Sequence, residues 1–157
     1  MSPFALFALA FVAYSVHEHQ EGHADRIDLW LGPRSFRLQD DGRGMGLHRD
    51  GYVSGLLATL AGDGPVQLHG IGLALIAMSS PRVAIESRRG GVAWSQTFKG
   101  GHADTAPQHE PAGSETGTRV TVELPAESAD LDPAEVMPQI ERWRAANPGL
   151  TIVVHRM

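Results

Sequence analysis

The sequence predicts a two-layer α+β sandwich, with helices gathered on one face of a single mixed, mostly antiparallel sheet. Three observations carry that prediction: an apolar run at 4–16 rich in alanine, two pairs of short extended runs each broken by a glycine-containing turn, and a capped helix start at 132–135 followed by a last extended run. The order lacks the repeated strand–helix–strand units that build a parallel sheet. At 157 residues the chain has the length of one domain, 1–157, large enough to bury a real core.

The run 4–16 is shorter than the ~20 residues that cross a bilayer, and His17, Glu18 and His19 close it. No Lys or Arg precedes it, which argues against a secretory signal, so the expectation is a helix buried on most sides. Runs 26–31 and 36–39, joined by Gly32-Pro33-Arg34, predict an antiparallel hairpin. Segments 53–60 and 68–79 predict helices separated by Gly62, Gly64 and Pro65. In the second of them Leu73, Leu75, Ile76 and Met78 form a core-facing stripe. Runs 83–87 and 92–98 alternate about Arg89-Gly90-Gly91 as a second hairpin. The polar, Gly/Pro-rich stretch 99–117 predicts a mobile surface loop.

A strand is expected at 118–123. Asp132-Pro133-Ala134-Glu135 then supplies an N-cap, a proline at the first helical position and a capping-box glutamate. Val136, Ile140 and Trp143 share a face of that helix, Pro138 is expected to bend its first turn, and Asn147-Pro148-Gly149 ends it before a final strand at 150–154.

Composition removes several functions. Thirteen basic against eighteen acidic residues, net −5, leave no electrostatic footprint for direct DNA binding. The absence of cysteine removes disulfides, thiolate metal sites and a cysteine nucleophile. His17, His19 and His23 cluster at the first helix end, where solvated histidines are favoured over a metal site because zinc needs three or four preorganised ligands. Trp30, Trp94 and Trp143 read as packing residues, since no basic groove surrounds them.

Three local motifs carry chemistry. Gln39-Asp40-Asp41-Gly42-Arg43-Gly44-Met45 places two carboxylates and two glycines at a strand end, where bare backbone lets a flat ligand approach. Leu68-His69-Gly70-Ile71-Gly72 opens a helix whose free N–H groups suit phosphate. Thr116-Gly117-Thr118 offers a hydroxyl that either meets a base or starts the strand.

In this order the motifs resemble the adenine-nucleotide domain of the DNA gyrase B and topoisomerase IV type, within the gyrase, chaperone, histidine-kinase and MutL superfamily. The likeness also runs through Gly22-His23-Ala24-Asp25-Arg26-Ile27, Arg89 with Gln96 and Phe98, and Asn147-Pro148-Gly149-Leu150. The fold this implies is the superfamily's (Bergerat) sandwich with a left-handed βαβ unit, holding nucleotide between the helices and one sheet face. By that resemblance Asp40 accepts the adenine amino group, Thr118 assists it, Gly44 and Met45 wall the base, Gly70 and Gly72 lie near the phosphates, and Arg89 stands at the pocket mouth. An exposed hairpin arginine is an equal reading of Arg89. Glu18 and Arg43 match an acid and a base beside the pocket, or form a structural ion pair.

The departures from the family bear on activity. Its general-base glutamate falls on Ala10, the following aspartate on Ala13 and the magnesium-binding asparagine on Tyr14, and none of these activates water or holds a hard cation. The lid is short, with Asp63, Pro65, Val66 and Gln67 in place of lysine and glycines, and the domain is expected to lack the family's following transducer domain. The expectation is a degenerate adenine-nucleotide (ATP or ADP) domain without hydrolysis, binding weakly and led by the base, with no magnesium. An interaction module on the same fold is the alternative, and an active ATPase a distant third. The family's N-terminal dimerisation arm is not seen before the first helix, so a monomer is expected; the location expected is cytoplasmic, and a protein partner is left open.

Overall fold

The computed structural model describes residues 2–46, 80–100 and 102–157. Within them two helices, α1 (Pro3–Gln20) and α2 (Pro133–Ala146), accompany eight strands: β1 (Arg26–Leu31), β2 (Ser35–Asp40), β3 (Arg82–Arg89), β4 (Val92–Lys99), β5 (His102–Ala103), β6 (Gln108–Pro111), β7 (Gly117–Glu123) and β8 (Thr151–Arg156). The sheet runs β5-β4-β3-β7-β2-β1-β8, with β6 also on β4. Among these strands every pairing is antiparallel except β1 with β8. This is the α+β sandwich expected. The helices predicted at 53–60 and 68–79, with the stripe from Leu73 to Met78, the lid residues Asp63 to Gln67, and Gly70 and Gly72, lie outside the described residues.

Strand alternation decides which face is covered. Ile27 and Leu29, Phe36 and Leu38, Val83 and Ile85, and Val120 and Val122 are buried on one face, with Phe98 of β4. Phe4, Phe7, Phe11, Val12 and Val16 of α1 and Val136 and Ile140 of α2 complete this core. Phe7 meets Phe11 at 5.1 Å and sets its ring nearly perpendicular to Phe36 at 6.0 Å. Among the described residues no helix is long and apolar enough to cross a membrane.

Helix α1 extends beyond the apolar run at both ends. Ser2 caps it by accepting the Ala5 N–H, with Pro3 at the first turn. Its polar tail stays helical because Glu18 turns inward and the His19 imidazole Nδ1 lies 2.6 Å from the Ala24 carbonyl oxygen. Gly22, at φ 85°, then sends the chain into β1. Helix α2 is capped by Asp132, which accepts the Ala134 N–H at 2.9 Å, while Glu135 accepts the Ser2 N–H at 3.0 Å and ties the two helix starts together. The helix continues through Pro138, whose ring nitrogen has no hydrogen for the Ala134 carbonyl. Asp132→Ala is expected to cost about 1 kcal/mol, read as a lower urea midpoint with an unchanged slope.

One expectation is corrected. The stretch 99–117 is not simply a loop: β5 and β6 pair with the outer edge of β4. Residues of β6 are exposed on both sides, so no apolar alternation marks it, and backbone pairing to β4, with the His109 ring 4.9 Å from Trp94, makes the strand. Of the three tryptophans read as packing residues, Trp30 packs outside the helix-covered core. It lies on the sheet face away from α1 and α2, stacked at 4.7 Å on His155, which bonds Asp28 at 2.8 Å, with the Arg37 guanidinium 5.8 Å from the indole centroid. Trp94 and Trp143 do pack against the core.

Candidate functional site

A polar row interrupts the apolar layer at one end of the sheet. The register sets Asp40 of β2 opposite Thr118 of β7, and Thr118 opposite Ser87 of β3. All three lie on the covered face and are at most 4% exposed. A polar group this deep is tolerated only when it is hydrogen-bonded, so each one's partners can be tallied.

Asp40 is held from three directions. Its Oδ1 accepts the Gly42 N–H at 3.0 Å and the Thr118 N–H at 3.1 Å, and its Oδ2 accepts the Ser15 hydroxyl of α1 at 2.5 Å. A carboxylate offers about four lone-pair sites, so one direction on Oδ2 is left for a further donor. Burial pushes the Asp40 carboxyl above the usual range; the bonds from Ser15, Gly42 and Thr118 pull it back, and neighbouring Glu18 adds to the rise. Thr118 differs from its neighbours. Its Oγ1 is buried without a hydrogen-bond partner among the described residues.

Glycines let the backbone close around this row. Gly117 stands at φ 137°, and a methyl on it would lie 2.3 Å from the Asp40 carbonyl oxygen. Gly44, at φ 81°, presses on β3 so closely that a methyl there would meet the Arg88 carbonyl oxygen at 2.3 Å. The next residue, Met45, is buried, and Ser87 Oγ both accepts its N–H at 2.6 Å and donates to its carbonyl at 2.8 Å. The exposed Arg89 places Nη1 3.4 Å from where a side chain on Gly46 would begin, which puts it on the rim.

Beside the row, Glu18 is buried and receives the Tyr14 hydroxyl at 3.3 Å and Arg43 Nε at 3.2 Å. The ion-pair reading of Glu18 and Arg43 therefore holds. Burial, with Glu18 and Asp40 close by, raises the Tyr14 phenol well above its ordinary value, so it is a neutral donor. Ala10 is half-buried and Ala13 exposed, and neither carries a group that could move a proton. His17 faces Glu21 at 3.8 Å across one helical turn.

The structure thus brings together Asp40, Gly44, Met45 and Thr118, with Arg89 at the edge. Two members were missed in the sequence. Ser15 and Ser87 are fully buried and bond Asp40 and Met45 respectively. The available signal was a polar residue breaking a buried pattern: Ser87 follows Val83 and Ile85 at period two, and Ser15 follows Ala8, Phe11 and Val12 on one helix face.

Sandwich and row together make an α+β domain whose sheet carries a buried polar row at one end of its covered face. Comparison with known proteins makes it gyrase-B-like: the chain is 32% identical over 126 residues to the DNA gyrase B protein of Streptomyces coelicolor, covering 68% of this chain. It is 32% identical over 126 residues to the novobiocin-sensitive gyrase B of Streptomyces niveus and 36% identical over 124 residues to that organism's novobiocin-resistant form. The chain spans 18% of the length of these relatives. No family model matches.

Proposed function

We propose that this domain binds an adenine nucleotide, ATP or ADP, chiefly through the base, and does not hydrolyse it. The observation that carries the reading is the buried Thr118 Oγ1, without a partner among the described residues, beside a buried Asp40 carboxylate with one acceptor direction to spare. An acceptor next to a hydroxyl suits a ring that offers an amino donor beside a ring-nitrogen acceptor, as adenine does, and disfavours a base with a carbonyl at the donor's place. The likeness to gyrase B supports the same ligand class. Asp40 and Thr118 would hold the base edge, Gly44 and Met45 would wall its face, and Arg89 would lie at the mouth. Gly70 and Gly72 are proposed for the phosphates by resemblance alone.

Loss of hydrolysis follows from the residues on α1. Ala10, Ala13 and Tyr14 supply neither a base for water nor a hard-cation ligand, so magnesium is left out of the proposal. Glu18 lies two helical turns beyond Ala10 and is already engaged by Arg43 and Tyr14. In the same proposal the domain is a cytoplasmic monomer, with a protein partner left open, that makes no direct DNA contact, consistent with its net charge of −5.

Thermal denaturation with adenosine, ADP and ATP, with and without magnesium, tests this directly. A ligand at 100 times its Kd adds about 2.7 kcal/mol to stability, so a rise in Tm is readily seen. The three ligands are expected to raise Tm by similar amounts, magnesium to change nothing, and ATP turnover to stay at background. Equal Tm with and without millimolar nucleotide would leave the domain a ligand-free interaction scaffold. Turnover that Asp40→Asn abolishes would make it an ATPase.

A further inference from the structure

We infer that Ser87 is a positioning residue for the ligand site: it holds the Gly44–Met45 wall at a fixed distance from Asp40 and Thr118. The inference rests on the base-binding reading. Three consecutive residues after Arg43 meet the end of β3 in three ways. Gly44 lies against the Arg88 carbonyl, Met45 bonds Ser87 Oγ through both its N–H and its C=O, and Gly46 faces the Arg89 guanidinium. Only the middle contact is a closed pair of hydrogen bonds, at 2.6 and 2.8 Å, made by a side chain with no exposed surface.

One hydroxyl here does what a neighbouring strand would do. Met45 lies beyond the end of β2, and Ser87 Oγ receives its donor and satisfies its acceptor at once. Because Ser87 stands opposite Thr118, which stands opposite Asp40, the wall is indexed to the same cross-strand row that would hold the base edge. A wall free to drift by about an ångström would lose its contact with a flat ring while the hydrogen bonds to the edge remained.

A second buried serine on the same stretch of chain provides the control. Ser80, just before β3, donates Oγ to the Glu123 carbonyl at 2.7 Å and is equally buried, but it lies at the opposite end of the strand from Met45. Calorimetry with adenosine, well below the melting range, is paired with amide hydrogen exchange at Met45. Ser87→Ala is expected to raise the adenosine Kd about tenfold and to speed Met45 exchange by about as much. Ser80→Ala is expected to lower Tm and leave the Kd within about twofold.

An adenosine Kd in Ser87→Ala that stays within about twofold of the unmutated chain overturns the inference, as does unchanged Met45 protection. If the unmutated chain binds no adenosine, the base-binding reading fails and takes the ligand role of Ser87 with it, while Met45 exchange still shows whether the clamp exists. Should Ser87→Ala not fold, Ser87→Cys keeps a weak donor and acceptor of similar size and is expected to raise the adenosine Kd and speed Met45 exchange relative to the unmutated chain, and no change in either overturns the inference.

Discussion

Gly44→Ala is expected to destabilise the fold by on the order of 3 kcal/mol, a large share of what a domain of this size has to spare. Two costs combine. The left-handed backbone at φ 81° penalises any side chain, and the new methyl would sit 2.3 Å from a carbonyl oxygen of β3, backbone that cannot rotate away. Gly90→Ala separates the two, since Gly90 has φ 61° with nothing within 4 Å among the described residues and should cost only about 1–2 kcal/mol. Chemical denaturation of both variants is the measurement. Equal losses would mean that the 44–46 segment shifts easily and does not form a rigid wall.

Asp40→Asn is expected to weaken adenosine and ADP binding by about 1–3 kcal/mol while leaving the apo fold intact. The amide oxygen can keep the Gly42 and Thr118 N–H bonds and the amide nitrogen can donate to Ser15 Oγ, so the local frame survives. The free acceptor direction on Oδ2 becomes a donor, facing an amino group that also donates.

The pH dependence has a fixed sign. Asp40 has a raised folded-state carboxyl, so its contribution to stability is fully present below the unfolded value and is lost as pH rises through the folded one. At neutral pH the buried carboxylate is thus a cost that Asn removes, and apo Asp40→Asn should melt no lower than the unmutated chain. Binding runs the opposite way. Ligand affinity of the unmutated chain should fall on acidification, as Asp40 takes up a proton and loses its acceptor, while the residual affinity of the variant stays flat. Titration calorimetry across that range checks both; a variant that binds as tightly as the parent would reduce Asp40 to a turn-forming residue.

Much of this was legible in the residues. Period-two burial marks β1, β3 and β7, and the Asp132 cap with proline at the first turn marks α2, because those signals are local and each has a single physical cause. The Asp40 motif could be placed at a strand end, and the resemblance joined Thr118 to it across 78 positions, but Ser15, 25 positions away on α1, could not be placed, because nothing in its local pattern ties it to Asp40 before the sheet forms. Strand β6 was hidden for the opposite reason: it buries nothing, so hydrophobic pattern is silent where backbone pairing does the work. Trp30 reads as a packing residue, but which face it packs on is set by the alternation of β1, which puts it opposite Ile27 and Leu29 and against His155.

The parallel pairing of β1 with β8 bears on how the chain assembles. β1 lies near the start and β8 near the end, and their register, Ile27 with Ile152 and Leu29 with Val154, joins residues 125 apart. Among the described strand pairings this one closes the longest loop and is entropically the last to be rewarded. Until it forms, β1 has only β2 beside it, and α1 has no α2 to pack on. During synthesis the nascent domain therefore presents an apolar helix and an open strand edge until its final segment emerges, the interval in which it is most exposed to misassociation.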